Sequence, residues 1–286
     1  MCTHRKETCV NACPNIVMLT MMKKFAVVFL ITLSAIAGSG SLAAQTNGQN
    51  SSEIQAVPNR PTFSTTADTV YRGVFEIEYG VDLASGKQDL NGLFKFGLTK
   101  NLEIRFGNIT FVRDGGIAGF GDSGAGFKFR FLKDKGAWPT LAVLYTLTVP
   151  SASEELGSGA LGHSAGLLVS KDFGKHHLDF NESIQFLGRG HAEGFDRNYF
   201  TAISYSHPIT QKLAISEEVA GYSRTNETVG ATLTVLQALS YSVSPRLVID
   251  GGCYIAAMGD LPRATFVAGV TYAVGDLYRR LRRHYP

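Results

Sequence analysis

The sequence is short of charge, of cysteine and of long apolar runs. Charged residues make up 18% of the 286-residue chain, against roughly 25% in soluble domains. The net charge is only +3, and the run Arg279-Arg280-Leu281-Arg282-Arg283 supplies much of the excess, so no nucleic-acid partner is expected. Cys2, Cys9 and Cys13 crowd the start, and Cys253 stands alone in the rest of the chain. That spacing excludes an intramolecular disulfide framework beyond the leader. After residue 44 no stretch reaches the roughly 18 consecutive apolar residues of a membrane helix. Gly-x-Ser-x-Gly, His-Glu-x-x-His and P-loop motifs are lacking as well. His163-Ser164 beside a long loop and His176-His177 at a turn read as solvated pairs. No catalytic residue, metal or cofactor is therefore expected, and the chain does not read as an enzyme.

What is present begins with a leader. Met22-Lys23-Lys24 is a short basic region, residues 25–37 are apolar, and small residues run to Ala44, the pattern of a secretory signal with cleavage after Ala44. Residues 1–20 lie upstream of its normal start and read as an extension from a start codon set too early, so 1–44 is set aside. Residues 45–68 are rich in Gln, Asn, Ser, Thr and Pro and read as a flexible periplasmic arm, ending in a short ordered lead-in. Residues 276–286 read as a basic tail.

Between them, 69–275 carries a repeated pattern. Leu98-Thr99-Lys100-Asn101-Leu102-Glu103-Ile104, the stretch 209–215 and the stretch 243–249 each show a strand end, a tight turn and a restart on Leu-x-Ile. Such turns between period-two strands mark antiparallel hairpins. Twelve strands fit over roughly 70–274, most of them ten to thirteen residues long, near the length a tilted membrane-crossing strand needs. Phe127, Phe129 and Phe131 oppose Lys128 and Arg130, and Leu141, Val143, Tyr145, Leu147 and Val149 oppose Thr140, Thr146 and Thr148. Connections alternate between short ones (99–101, 173–175, 244–245) and longer Gly-rich ones (113–122, 151–162, 188–196). The fold class expected is all-β, a closed antiparallel up-and-down transmembrane barrel of the bacterial outer membrane. A soluble β-sandwich or lipocalin-like barrel would not need aromatic outward faces on nearly every strand.

Twelve strands about 4.8 Å apart, tilted about 40°, give a backbone circle roughly 24 Å across and, after side chains, a bore on the order of 10 Å or less. Its expected lining is Glu76, Glu78, Lys95, Glu103, Arg105, Lys128, Arg130, Asp179, Gln185, Glu218 and Asp250. Opposite charges on neighbouring strands serve either as a selective constriction or as a lattice stiffening the wall. Four polar residues break the outward apolar beat, namely Glu182, Thr201, Glu217 and Gln237. Either a β-bulge returns the carboxylates to the lumen, or the four form a protein-contact stripe in a homo-oligomer, or they mark an exterior active site.

The segment 120–151 is the most specific. Gly121-Asp122, then Gly126-Phe127-Lys128-Phe129-Arg130-Phe131, is followed by Trp138-Pro139-Thr140-Leu141-Ala142 and the strand end Thr148-Val149-Pro150. With the hairpin turns, this resembles the outer-membrane barrel family named for the MetA pathway of phenol degradation. The resemblance spans about 70–274, with Pro150-Ser151-Ala152 replacing the family's usual Pro-Thr-Gly. It implies a passive channel for small solutes, hydrophobic or aromatic ones among them, with outer-membrane lipid around the wall. The alternatives are a closed-lumen structural or binding barrel and, on strand count alone, an outer-membrane lipid hydrolase.

Overall fold

A computed structural model describes residues 54–190, 193–224 and 230–279. The expected leader, the first part of the arm (45–53) and the tail from 280 onward lie outside the described residues. Among the described residues no helix is long and apolar enough to cross a membrane. The structure is built of strands: β1 (Val74–Ala84), β2 (Lys87–Gly97), β3 (Leu102–Asp114), β4 (Ile117–Gly119), β5 (Ser123–Leu132), β6 (Thr140–Val149), β7 (Gly162–Phe173), β8 (His176–Gly188), β9 (Phe195–Pro208), β10 (Leu213–Tyr222), β11 (Thr232–Ser244), β12 (Leu247–Met258) and β13 (Ala264–Asp276). All pairings are antiparallel between chain neighbours, and β1–β13 closes the ring. The short β4 only extends the hairpin after β3, so the wall has twelve strands, as the sequence pattern predicts.

Two of the three repeated heptads fold into the same turn, and the third, 243–249, joins β11 to β12 through only Pro245 and Arg246. Thr99 Oγ1 accepts from the amides of Asn101 and Leu102 at 3.1 and 3.0 Å, and Thr210 Oγ1 accepts from Lys212 and Leu213 at 3.2 and 3.0 Å. A threonine hydroxyl bonding its own backbone two and three residues on stabilises a tight turn without glycine. Each turn then launches a strand whose alternate residues face opposite ways.

The two faces are inverted relative to a soluble protein. Ile104, Phe106, Phe127, Phe129, Phe131, Val143, Ile203, Leu239, Ile255 and Phe266 are exposed on the outside, while Glu76, Glu78, Lys95, Glu103 and Lys128 are buried inside. An exposed apolar surface of that extent is untenable in water and is the lipid-facing band of a membrane barrel.

One boundary differs from expectation. The first strand begins at Val74 rather than near residue 70. Gly73 adopts φ +83°, a left-handed conformation that suits glycine and turns the chain from the interior into the wall. Its amide donates to the Gly97 carbonyl at 2.6 Å. A Cβ on Gly97 would lie 2.2 Å from the Tyr71 carbonyl oxygen. Gly97→Ala should therefore push the 70–71 backbone off the wall and cost about 1–3 kcal/mol by overpacking, read as an earlier midpoint in urea unfolding of the detergent-solubilised protein. An unchanged midpoint would mean that this entry point is not tightly seated.

Candidate functional site: the filled lumen

The interior is not an open bore. Residues 54–70 cross it without forming a strand, and their backbone groups are met by wall side chains. Glu76 accepts from the Val57 amide at 2.8 Å. Glu78 accepts from the Asn59 amide and side chain at 2.9 and 3.2 Å. The two carboxylate oxygens of Glu218 take the Phe63 and Ser64 amides, each at 2.7 Å. Asn181 brackets Thr65, accepting from its amide at 2.7 Å and donating to its carbonyl at 2.9 Å. Ser170 Oγ accepts from Ala67 and Glu103 from Val70, both at 2.7 Å. The lysines take the carbonyls, Lys95 that of Val57 at 2.6 Å and Lys128 those of Thr66 and Asp68 at 3.0 and 2.6 Å. These partners sit on β1, β2, β3, β5, β7, β8 and β10, so only a segment inside the ring can reach them all.

The expectation of a periplasmic arm is thus corrected over 54–68, which lies inside the lumen, while the order expected of its lead-in at 57–69 is what the structure has. The physical reason is that the same polar residues that make this stretch look solvated can be satisfied by a polar wall. Apolar contacts assist. Ala67 packs with Ala142 and Leu168, and Ile54, Ala56 and Val57 pack near Val70, Val74 and Ala273.

All eleven residues expected on the lining face inward. Lys95 binds Glu76 at 2.6 Å and also Glu78, and all three side chains are almost fully buried. Lys128 lies 3.6 Å from Glu103, which Arg105 approaches at 3.4 Å. Arg130 and Lys133 both bind the Asp68 carboxylate, at 2.8 and 2.6 Å. Burial opposes ionisation of Asp68, but those two cations outweigh it and hold its carboxyl below the usual aspartate value. Asp179 receives the Ser170 hydroxyl and lies 3.1 Å from His177 Nε2. Gln185 accepts from Asn198 at 2.8 Å. Asp250 faces Arg60 of the inserted segment at 3.6 Å, and Arg60 reaches Asp82 at 3.8 Å. The Arg60 guanidinium lies against Gly80 and Gly269, which pair across β1 and β13.

Toward the long loops the lumen changes character. Phe200, Ala202, Ala220 and Tyr222 form one inward cluster, and Leu236, Ala238, Val267 and Tyr254 another. Phe63 of the inserted segment packs on Tyr254 at 5.0 Å between centroids. The sequence pattern does not reveal this apolar wall on β9–β13, because Phe200, Leu236 and Val267 share the inward face with polar residues there and break its polar beat.

The four stripe residues all point outward. The registers of β8 with β7 and β9, and of β10 with β9 and β11, run unbroken past Glu182 and Glu217. The β-bulge alternative is therefore overturned. Glu182 accepts from the Thr201 hydroxyl at 2.5 Å, and Gln237 approaches Glu217 at 3.4 Å. The turn histidines are not simply solvated. His177 pairs inward with Asp172 at 2.6 Å, His163 contacts the Tyr145 hydroxyl at 2.8 Å, and His176 contacts that of Tyr205 at 2.6 Å. Among the described residues no group of three or more His, Cys, Asp or Glu is placed to hold a metal ion.

No family model matches the chain, and no curated protein does. Solved structures match its fold. An outer membrane channel from Pseudomonas putida F1 superposes with a TM-score of 0.56 at 11% identity, covering 74% of this chain and 99% of that one. The NanC porin gives 0.54 at 10% identity, over 70% of this chain and 100% of its own. The KdgM porin gives 0.53 at 9% identity, over 70% and 99%. At these identities the likeness is one of fold, and that fold is the twelve-stranded barrel of outer-membrane channels and porins.

Proposed function

We propose that the protein is an outer-membrane channel for small hydrophobic or aromatic solutes, shut in its periplasmic half by its own residues 54–70. The observation that carries this is the way the segment is held. It adds no strand to the sheet and is gripped by side chains from seven wall strands. A chain with its side chains is about 10 Å thick, the spacing at which sheets stack, and so fills the bore estimated above. Apart from one backbone bond, from the Ala56 amide to the Pro245 carbonyl at 2.9 Å, the polar grips are side-chain hydrogen bonds and ion pairs that water can replace, so the segment is removable without opening the wall.

The solute class follows from the outer half. Phe200, Tyr222, Leu236 and Tyr254 offer an inward apolar surface on β9–β12, while Asp82 and Asp89 pair across β1 and β2 near their long-loop ends. A half-aromatic vestibule favours compounds with an apolar body over sugars. The resemblance to the MetA-pathway barrels points to the same class. A permanently filled barrel with a binding role is the second reading, supported by the number of bonds to the segment.

Planar-bilayer recording separates the two. Deleting residues 54–68 should raise single-channel conductance at least tenfold over the intact protein. Replacing both Lys128 and Arg130 by Ser, which releases the Thr66 and Asp68 carbonyls and leaves the Asp68 carboxylate to Lys133, should increase the time spent open and shift ion preference toward cations. Equal conductance in all three proteins would remove the gate and leave the filled barrel. In liposome uptake of the deletion variant, benzyltrimethylammonium should enter faster than choline, a cation of the same charge without the ring, and Phe200→Ser with Tyr222→Ser should erase that preference. A preference that survives the double change would mean that the aromatic wall does not select.

A further inference from the structure

The lipid-facing wall carries a pattern that a channel does not need. On four consecutive strands the outward residues Glu182, Thr201, Glu217 and Gln237 interrupt an apolar face. Glu182 pairs with Thr201, and Glu217 pairs with Tyr205 and Gln237. A single apolar row, Phe180, Ile203, Val219 and Val235, separates the two couples.

Their depth matters. Glu217 lies four residues from Leu213, where β10 leaves its short turn, and Glu182 six from His176 on β8. At about 3.4 Å per residue and a tilt of about 40°, they stand roughly 10 and 15 Å from the periplasmic ends. An apolar band about 25 Å tall contains both. A carboxylate has about four acceptor sites, and each of these two receives one side-chain donor within the chain. In hydrocarbon the remaining capacity has no partner.

The order of the four supplies the partner. From β8 to β11 they read acceptor, donor, acceptor, donor. A two-fold axis along the membrane normal, passing between β9 and β10, sets β8 against β11 of a second copy and β9 against β10. Each carboxylate-bearing strand then meets a strand bearing a hydroxyl or an amide. Glu182 faces the Gln237 strand, and Glu217 faces the strand of Thr201 and Tyr205. Gly221, beside Thr201, leaves room for close approach. An isologous contact requires such self-complementarity. We infer that the outward face of β8–β11 is the interface of a two-fold dimer of this chain within the membrane.

Native mass spectrometry of the protein in membrane-derived nanodiscs should give the mass of two barrels. Glu182→Leu combined with Glu217→Leu should halve it. A second test does not depend on how that variant folds. In a chain whose four cysteines are changed to serine, Val219→Cys lies beside the proposed axis, and Ile104→Cys lies on the opposite wall, exposed on β3. Oxidation in isolated outer membranes should join the first into a species of doubled mass and leave the second single. One barrel per particle for the wild type would overturn the dimer. So would a double-leucine variant that stays paired, equal joining at both positions, or joining of Val219→Cys to a different protein.

Discussion

A chain segment enclosed in a barrel brings amide and carbonyl groups that must be satisfied, and in this protein the rest of the lumen is arranged around them. Residues 54–70 have no strand partner, so their N–H groups would otherwise be buried without acceptors, each costing about 1–3 kcal/mol. Four carboxylates, an amide and a hydroxyl on the wall take them, and two lysines take the carbonyls. The division by charge is chemically required. Acidic side chains only accept and ammonium groups only donate, so alternating acids and lysines can follow a backbone that presents both kinds of group.

The ion pairs are a consequence of the same arrangement. Lys95 is almost fully buried and could not remain charged without Glu76 and Glu78. Those two glutamates are already positioned by the amides of Val57 and Asn59. Removing one member of such a group leaves an uncompensated buried charge, which costs more than the pair contributes. The inward charges form one paired lattice, and the inserted segment completes its charge balance through Arg60 and Asp68.

The segment with the specific motif shows how the two ends of the barrel are organised by one hairpin. Asp122 accepts from the amides of Ser151, Ala152 and Ser158 and from the Ser158 hydroxyl, folding the loop after β6 against the outer rim. Eight residues on, Arg130 of β5 binds Asp68 near the short-turn end, and Lys128 between them holds two carbonyls of the inserted segment. Alternation keeps the lumenal pair on one face while Phe127, Phe129 and Phe131 meet lipid.

The sequence by itself determined the strand pattern, the number of wall strands and the inward face of the eleven lining residues named from it. A period of two is local, and turns such as those at Thr99 and Thr210 are written in three or four residues. It also marked Glu182 and Glu217 as misfits, but whether a bulge corrected them depended on cross-strand register, which only the paired sheet decides. The largest misreading has the same origin. Residues 54–68 carry the composition of a solvated arm, and composition cannot distinguish water from a polar wall as the source of hydrogen bonds. Only closure of the ring, which brings Glu103 and Glu218 from positions 115 residues apart in the chain to the same segment, decided that this stretch fills the lumen.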